Sequence, residues 1–219
     1  MYTINNKYLL FIFLSVAIIA TSACSSAMSK RPVGEVIPKL DKVYFEGIWK
    51  VDPTGRDFDS DTANPHTNTS IEKENVVVVT RFKNVDLGIL EFQTIAVRYD
   101  KKAHSGNIIM RTTSAGLIGN FKEVSIGEKK KDNPYYFFRV TYSISGDYLL
   151  IYAPDIDLIK NLVKQGDLKG SLDKDSVIID ELTDTDFNRL KQKGIHPKQL
   201  FKSEPVILHR IISYCCLGD

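Results

Sequence analysis

The apolar positions of this chain fall into two regimes. Tyr8 to Ala20 is apolar apart from Ser15, and the polar start before it carries one charge, Lys7. At about 13 residues the run has the length of a signal-peptide core, and it is short of the ~20 residues a helix needs to cross a bilayer. Beyond it, alternation takes over. Val43–Val51 puts Phe45, Gly47, Trp49 and Val51 on one face and Tyr44, Glu46, Ile48 and Lys50 on the other, as a strand does. Asn75–Phe82 is a β-branched run, and Leu90–Asp100 sets Ile95, Val97 and Tyr99 on one side. Pro134–Ile144 and Asp147–Ala153 flank Ser145-Gly146 and predict a hairpin. Shorter strands are expected over 107–113, 120–126, 176–180 and 205–212. The series predicts a mainly β fold, either a curved antiparallel sheet or a β-barrel.

Helical spacing appears only late. Pro154–Gly166 carries acids in its first turn, lysines toward its end and an apolar stripe of Leu158, Ile159, Leu162 and Val163. Thr183–Gly194 opens on Thr183 as an N-cap with Asp186 three residues on, and Phe187 and Leu190 face inward. Gly194 and Pro197 stop it. Both helices are only half apolar, so they must lie against the sheet. The fold class is thus mainly β with two short C-terminal helices. Ser25–Leu40, with two prolines, one glycine and little periodicity, reads as a tether, and the ordered domain is expected to begin near Asp41.

The polar stretch from Asp52 to Ile71 reads as a long loop. Its Asp57, Asp59 and Asp61 have the spacing of a calcium loop, but Thr62 stands where the turn needs Gly and Asn68 where a bidentate Glu is needed. No metal is expected there. The net charge of +2 and the absence of an enriched basic patch argue against nucleic acid. The Lys129-Lys130-Lys131 run precedes Asp132-Asn133-Pro134 and reads as a solvated turn.

No nucleophile elbow, zinc-protease helix or phosphate loop occurs, so no catalytic residue and no cofactor are assigned. The four histidines lack metal-like spacing: His66 and His104 fall in expected loops and His209 in the last strand, with His196 between. The other cysteines, Cys215 and Cys216, are adjacent and bond each other only through a strained ring. Free thiols and an intermolecular bridge both remain open.

Thr21-Ser22-Ala23-Cys24, directly after the apolar core, resembles the lipobox of bacterial lipoproteins, with Thr21 in place of the commoner leucine. The resemblance implies a signal peptide over 1–23, lipidation at Cys24, a lipidated tether over 24–40 and a single globular β-rich domain over 41–219. Ser25, rather than aspartate, after the cysteine implies the outer membrane. The C-terminal half, over Asp147–Gly166, Val177–Asp180, Thr183–Phe201 and Glu204–Arg210, is similar to a group of small outer-membrane lipoproteins with no assigned reaction. A further resemblance is to lipocalins, through Gly47-Ile48-Trp49 and the later Asp147-Tyr148. Two helices before the final strand depart from that pattern.

Two functions follow as expectations. The first is a structural or interaction module of the bacterial envelope, anchored in the membrane by its N-terminal lipid and touching an envelope protein. The second is a lipocalin-like protein enclosing a small apolar ligand. Tyr135, Phe137 and Tyr148 discriminate them: lining a cavity they favour the ligand, close-packed they favour the partner. Closure of a barrel would also bring the first and last strands together and lay Arg210 across Trp49, the only tryptophan.

Overall fold

The computed structural model describes residues 26–37, 40–52, 76–96, 104–122 and 133–213. The apolar run 8–20, Cys24, the Asp57–Asp61 loop, His66, the Lys129–Lys131 run, Cys215 and Cys216 lie outside them. Eight antiparallel strands close into a barrel. They are β3 (Gly47–Asp52), β4 (Val76–Asn84), β5 (Ile89–Ala96), β6 (His104–Thr113), β7 (Gly116–Lys122), β8 (Tyr135–Tyr142), β9 (Tyr148–Tyr152) and β12 (Val206–Ser213). Each pairs with the next in sequence through β9. β12 then enters between β9 and β3, with His209 opposite both Tyr148 and Lys50. Closure leaves no free barrel edge, which is how such a sheet avoids edge-to-edge association.

The barrel has two unlike ends. At one, the turns are short: Val85–Gly88 joins β4 to β5, Ser114-Ala115 joins β6 to β7, and 143–147 joins β8 to β9. A one-turn helix, α1 (Lys42–Phe45), precedes β3 there and pushes Phe45 into the barrel mouth. The other end carries the long connections 53–75, 97–103 and 123–134. Residues 43–45, expected to start the first strand, are therefore helical, and the strand begins at Gly47. Asp41 caps the turn by accepting from the Val43 amide at 3.1 Å.

A second layer lies outside the barrel. β8 forks: Tyr135 and Tyr136 pair with β1 (Ala27–Ser29), while Arg139–Tyr142 pair with β9. β1 in turn runs parallel to β11 (Ser176–Ile179), which pairs with β10 (Gly170–Asp173). Two helices, α2 (Ile156–Lys164) and α3 (Asp184–Gln192), complete the layer. Asp155 caps α2. Thr183 and Asp186 make a reciprocal capping box on α3, as their spacing predicts.

The molecule consequently has two cores. The barrel core includes Trp49, Val78, Phe92, Met110, Phe138 and Leu208. The side core packs Phe137 and Ile118 of the outer wall against Ile159, Leu162, Phe187 and Leu190 of the helices, with Val177 and Phe201.

Residues 26–37 are no free tether. Ala27 and Val33 are buried in the side core, and β2 (Glu35–Val36) pairs with β6. Asn120, on β7, fastens the segment from the barrel wall: its Oδ1 accepts from the Val33 amide at 2.7 Å, and its Nδ2 donates to the Val33 carbonyl at 3.1 Å. The ordered fold therefore begins by Ser26, not near Asp41. The expectation failed because the partners of this segment are distant in sequence. The Ser26 hydroxyl, for example, meets that of Ser176, 150 residues away.

Candidate functional site

The barrel interior is the natural place for a ligand, and its described residues leave only a small space. A cavity of about 40 Å³ remains, walled by Phe45, Leu90, Phe92, Met110, Phe138 and Leu208 among others. Its walls are apolar. Thr80, the one hydroxyl-bearing side chain in the lining, is already engaged: it accepts from Trp49 Nε1 at 2.8 Å and donates to the Phe45 carbonyl. Small-molecule sites usually offer about 300–1,000 Å³.

The three aromatics expected to face a ligand do not line this cavity. Tyr135 opens β8 with Lys122 Nζ 4.5 Å from its ring centre. Phe137 is buried outside the barrel, edge-on to Phe201 with ring centres 6.2 Å apart. Tyr148 is 42% exposed, its ring 4.9 Å from that of His209. The interior residues of β8 are instead Phe138 and Val140. The inward parity is thus opposite to the expected one. The physical reason lies in "YYFFRV": both faces of β8 are apolar, one facing the barrel and the other facing β1 and the helices. Alternation then gives no direction.

The short-turn end is sealed by a compact set of contacts. Trp49 is wholly buried. The Arg210 guanidinium carbon lies 4.5 Å from its ring centre, and Arg210 Nη2 donates to the Val43 carbonyl at 2.6 Å. The Arg210 amide also donates to the Asp147 carbonyl at 2.8 Å, joining the β8–β9 turn to the last strand. Gly47 is fixed by close approach: at φ +156° a Cβ there would sit 2.9 Å from the Ile212 carbonyl oxygen. Gly146, at φ +76°, supplies the turn that brings its backbone against Arg210. Arg210 and Trp49 are directly opposed in the β3–β12 register, so closure itself creates their contact. Gly47, Trp49, Asp147 and Arg210, singled out from sequence, thus meet at one end.

Other contributors to the seal left weaker traces in the sequence. Glu46 is buried, and its Oε1 accepts from the Phe82 amide at 2.8 Å, although strand alternation put it on the polar face. Tyr44 stacks on Tyr142 at 4.5 Å, and Phe45 meets Phe82 and Tyr142 edge-on. Nothing in local composition marks Thr80 as the link between Trp49 and Phe45.

His196 and His209 have plain structural partners. His196 Nδ1 accepts from the Lys198 amide at 3.3 Å at the start of a 3-10 helix, Pro197–Leu200. His209 Nε2 lies 3.4 Å from Asp52 Oδ2. His104, placed by sequence in a loop, opens β6. Among the described residues no three His, Cys, Asp or Glu side chains are grouped to hold a metal ion. No described helix is long and apolar enough to cross a membrane. Comparison of the chain with family models, with curated proteins and with solved structures gives no match. The site is therefore defined by its own geometry: a mainly β, barrel-built protein with a sealed end and, among the described residues, a small apolar cavity.

Proposed function

We propose that this chain is a lipid-anchored module of the bacterial envelope, tethered through Cys24 and acting by surface contact with a rigid barrel as its scaffold. The observation that carries the contact reading is the small size of the cavity between the described barrel residues. A cavity of about 40 Å³ stores no drug-sized ligand, and none of Tyr135, Phe137 and Tyr148 lines it: Phe137 packs in the side core and Tyr148 is exposed. The anchor rests on the order of apolar core, small residues and cysteine over Tyr8–Cys24. A diacylglyceryl group on the thiol plus an acyl chain on the amine exceeds the two lipid signals that stable anchoring needs. Cys24→Ala tests this. Acyl label from a radioactive fatty acid is expected in wild type and lost in the variant; equal label in both rejects the anchor.

A second reading, enclosure of a small apolar ligand, is favoured by the apolar cavity walls. Native mass spectrometry of the protein mixed with a medium-chain fatty acid separates the two. The contact reading expects no saturable one-to-one complex.

A further inference from the structure

The sealed end gathers most of the exposed large hydrophobic side chains among the described residues. Among the described residues nine large hydrophobic side chains are exposed. Six of them ring this end: Val43 on α1, Leu87 at the β4–β5 turn, Tyr142 and Ile144 at the β8–β9 turn, and Ile211 and Ile212 at the end of β12. Ile144 is 94% exposed. Hydrophobic residues scattered singly on a surface need no explanation, but turn tips and a strand end that converge on one rim do.

The N-terminal segment points the same way. β1 is antiparallel to β8, with Ser29 opposite Tyr135 and Met28 opposite Tyr136. Read backwards from Ser29 to Ser26, it therefore heads toward the sealed end. It is held in place as far as Ser26, whose carbonyl accepts from the Val177 amide at 2.8 Å. Cys24 is two residues upstream, so the chain between them spans at most about 7 Å. From Ser29 back to Ser26 the segment advances roughly 10 Å in that direction. A short leash and an apolar rim thus lie at the same end of the molecule.

We propose that the sealed end rests on the bilayer that receives the Cys24 lipid, with the rim side chains in the headgroup layer and the start of β12 turned away from the membrane. This rests on acylation of Cys24. The attraction is apolar rather than electrostatic, because the cations at this end, Lys42, Lys83 and Arg210, are balanced in number by Asp41, Asp86 and Asp147. Zwitterionic phospholipid therefore suffices as the partner.

The full lipidated protein is reconstituted in phosphatidylcholine vesicles carrying a headgroup-attached quencher, in a Cys215→Ser, Cys216→Ser background. A fluorophore is placed on Ile144→Cys at the rim or on Ser203→Cys, an exposed position beside the start of β12 at the opposite end. Quenching at position 144 is expected to be several-fold stronger than at 203. Mass spectrometry of the N-terminal peptide from the same sample reads the acyl group on Cys24. An unmodified Cys24 overturns the anchor and this orientation together. An acylated Cys24 with equal quenching, or stronger quenching at 203, overturns the orientation alone. So does a rim protected from quencher in a dimeric species, which would assign it to a second copy of the chain.

Discussion

The two cores of this protein are built from the same residue types and differ in what bounds them. The barrel core is bounded by a continuous sheet, whose strand number and tilt set the space to be filled. Its side chains leave a residual cavity of about 40 Å³. The side core is bounded by α2, α3 and short strands that can move to meet the outer wall. Ile159, Val177, Ile179, Phe187, Leu190 and Leu200 have no solvent exposure there. A closed sheet cannot contract to remove a small void, whereas docked helices adjust position until their side chains touch. The contrast makes the side core the less tolerant of added volume, while the barrel can take a small group into its void.

The sharpest way to break this comparison is Phe187→Ala. The ring is fully buried between α3 and the outer wall. Its removal is expected to destabilise the protein by about 3–5 kcal/mol. The check is the shift in denaturant midpoint at unchanged slope. A midpoint equal to wild type would mean that α3 contributes nothing to the cooperative unit.

Asn120→Ala should come next, at about 2–3 kcal/mol. The residue is wholly buried, and its loss leaves the Val33 amide and carbonyl without the partners it provides. Hydrogen exchange at the Val33 amide gives the direct reading: it should accelerate far more than the change in global stability requires. Equal acceleration at the β4–β5 ladder would show that the N-terminal segment opens only with the barrel. That result would weaken the division into two layers.

Much of this architecture is legible in the residues, and the failures have definite causes. Thr183 and Asp186 announce a helix start because the signal is local: a hydroxyl and a carboxylate three residues apart satisfy each other's amides. Trp49 and Arg210 are legible through topology, since a closing barrel must bring the first and last strands side by side. Phe137 and Phe138 are not, because a strand apolar on both faces carries no mark of which side is inside. Residues 26–37 look like a linker because "SAMSKRPVGEVI" is locally irregular. The order of this stretch comes from Asn120, Ser176 and Val177, which only the folded chain brings to it. The short helix over 42–45 misled for a related reason: four residues of apolar alternation cannot distinguish a strand from one helical turn.

A matched pair of substitutions sharpens the contrast at smaller scale. Val78→Ile adds one methyl group beside the barrel cavity. It is expected to leave stability within about 1 kcal/mol of wild type or to raise it, as cavity-filling changes do. Val177→Ile adds the same group to the side core, where Val177 has no exposure, and should cost about 1–3 kcal/mol. Thermal midpoints of the two variants measured side by side decide the matter. Equal effects of either sign would show that the two cores are equally tight.

The smallest expected effect belongs to the seal. Arg210→Met keeps the aliphatic stem over Trp49 and removes the charge. The guanidinium contributes a cation–π contact at 4.5 Å and a hydrogen bond to the Val43 carbonyl at 2.6 Å. The contact with a buried ring is worth about 0.5–2 kcal/mol, and the thioether recovers part of it by stacking on the indole. The net loss should therefore be about 1 kcal/mol, most of it from freeing α1 at the Val43 carbonyl. Trp49 is the only tryptophan, so its emission reports this site alone. With the charge gone and the Thr80 bond to Nε1 retained, the emission should shift while the indole stays shielded from iodide. A spectrum identical to wild type would mean that the guanidinium does not sit over the ring in solution. Iodide quenching that rises as well would mean that Arg210, rather than Phe45 and Thr80, keeps the barrel mouth shut.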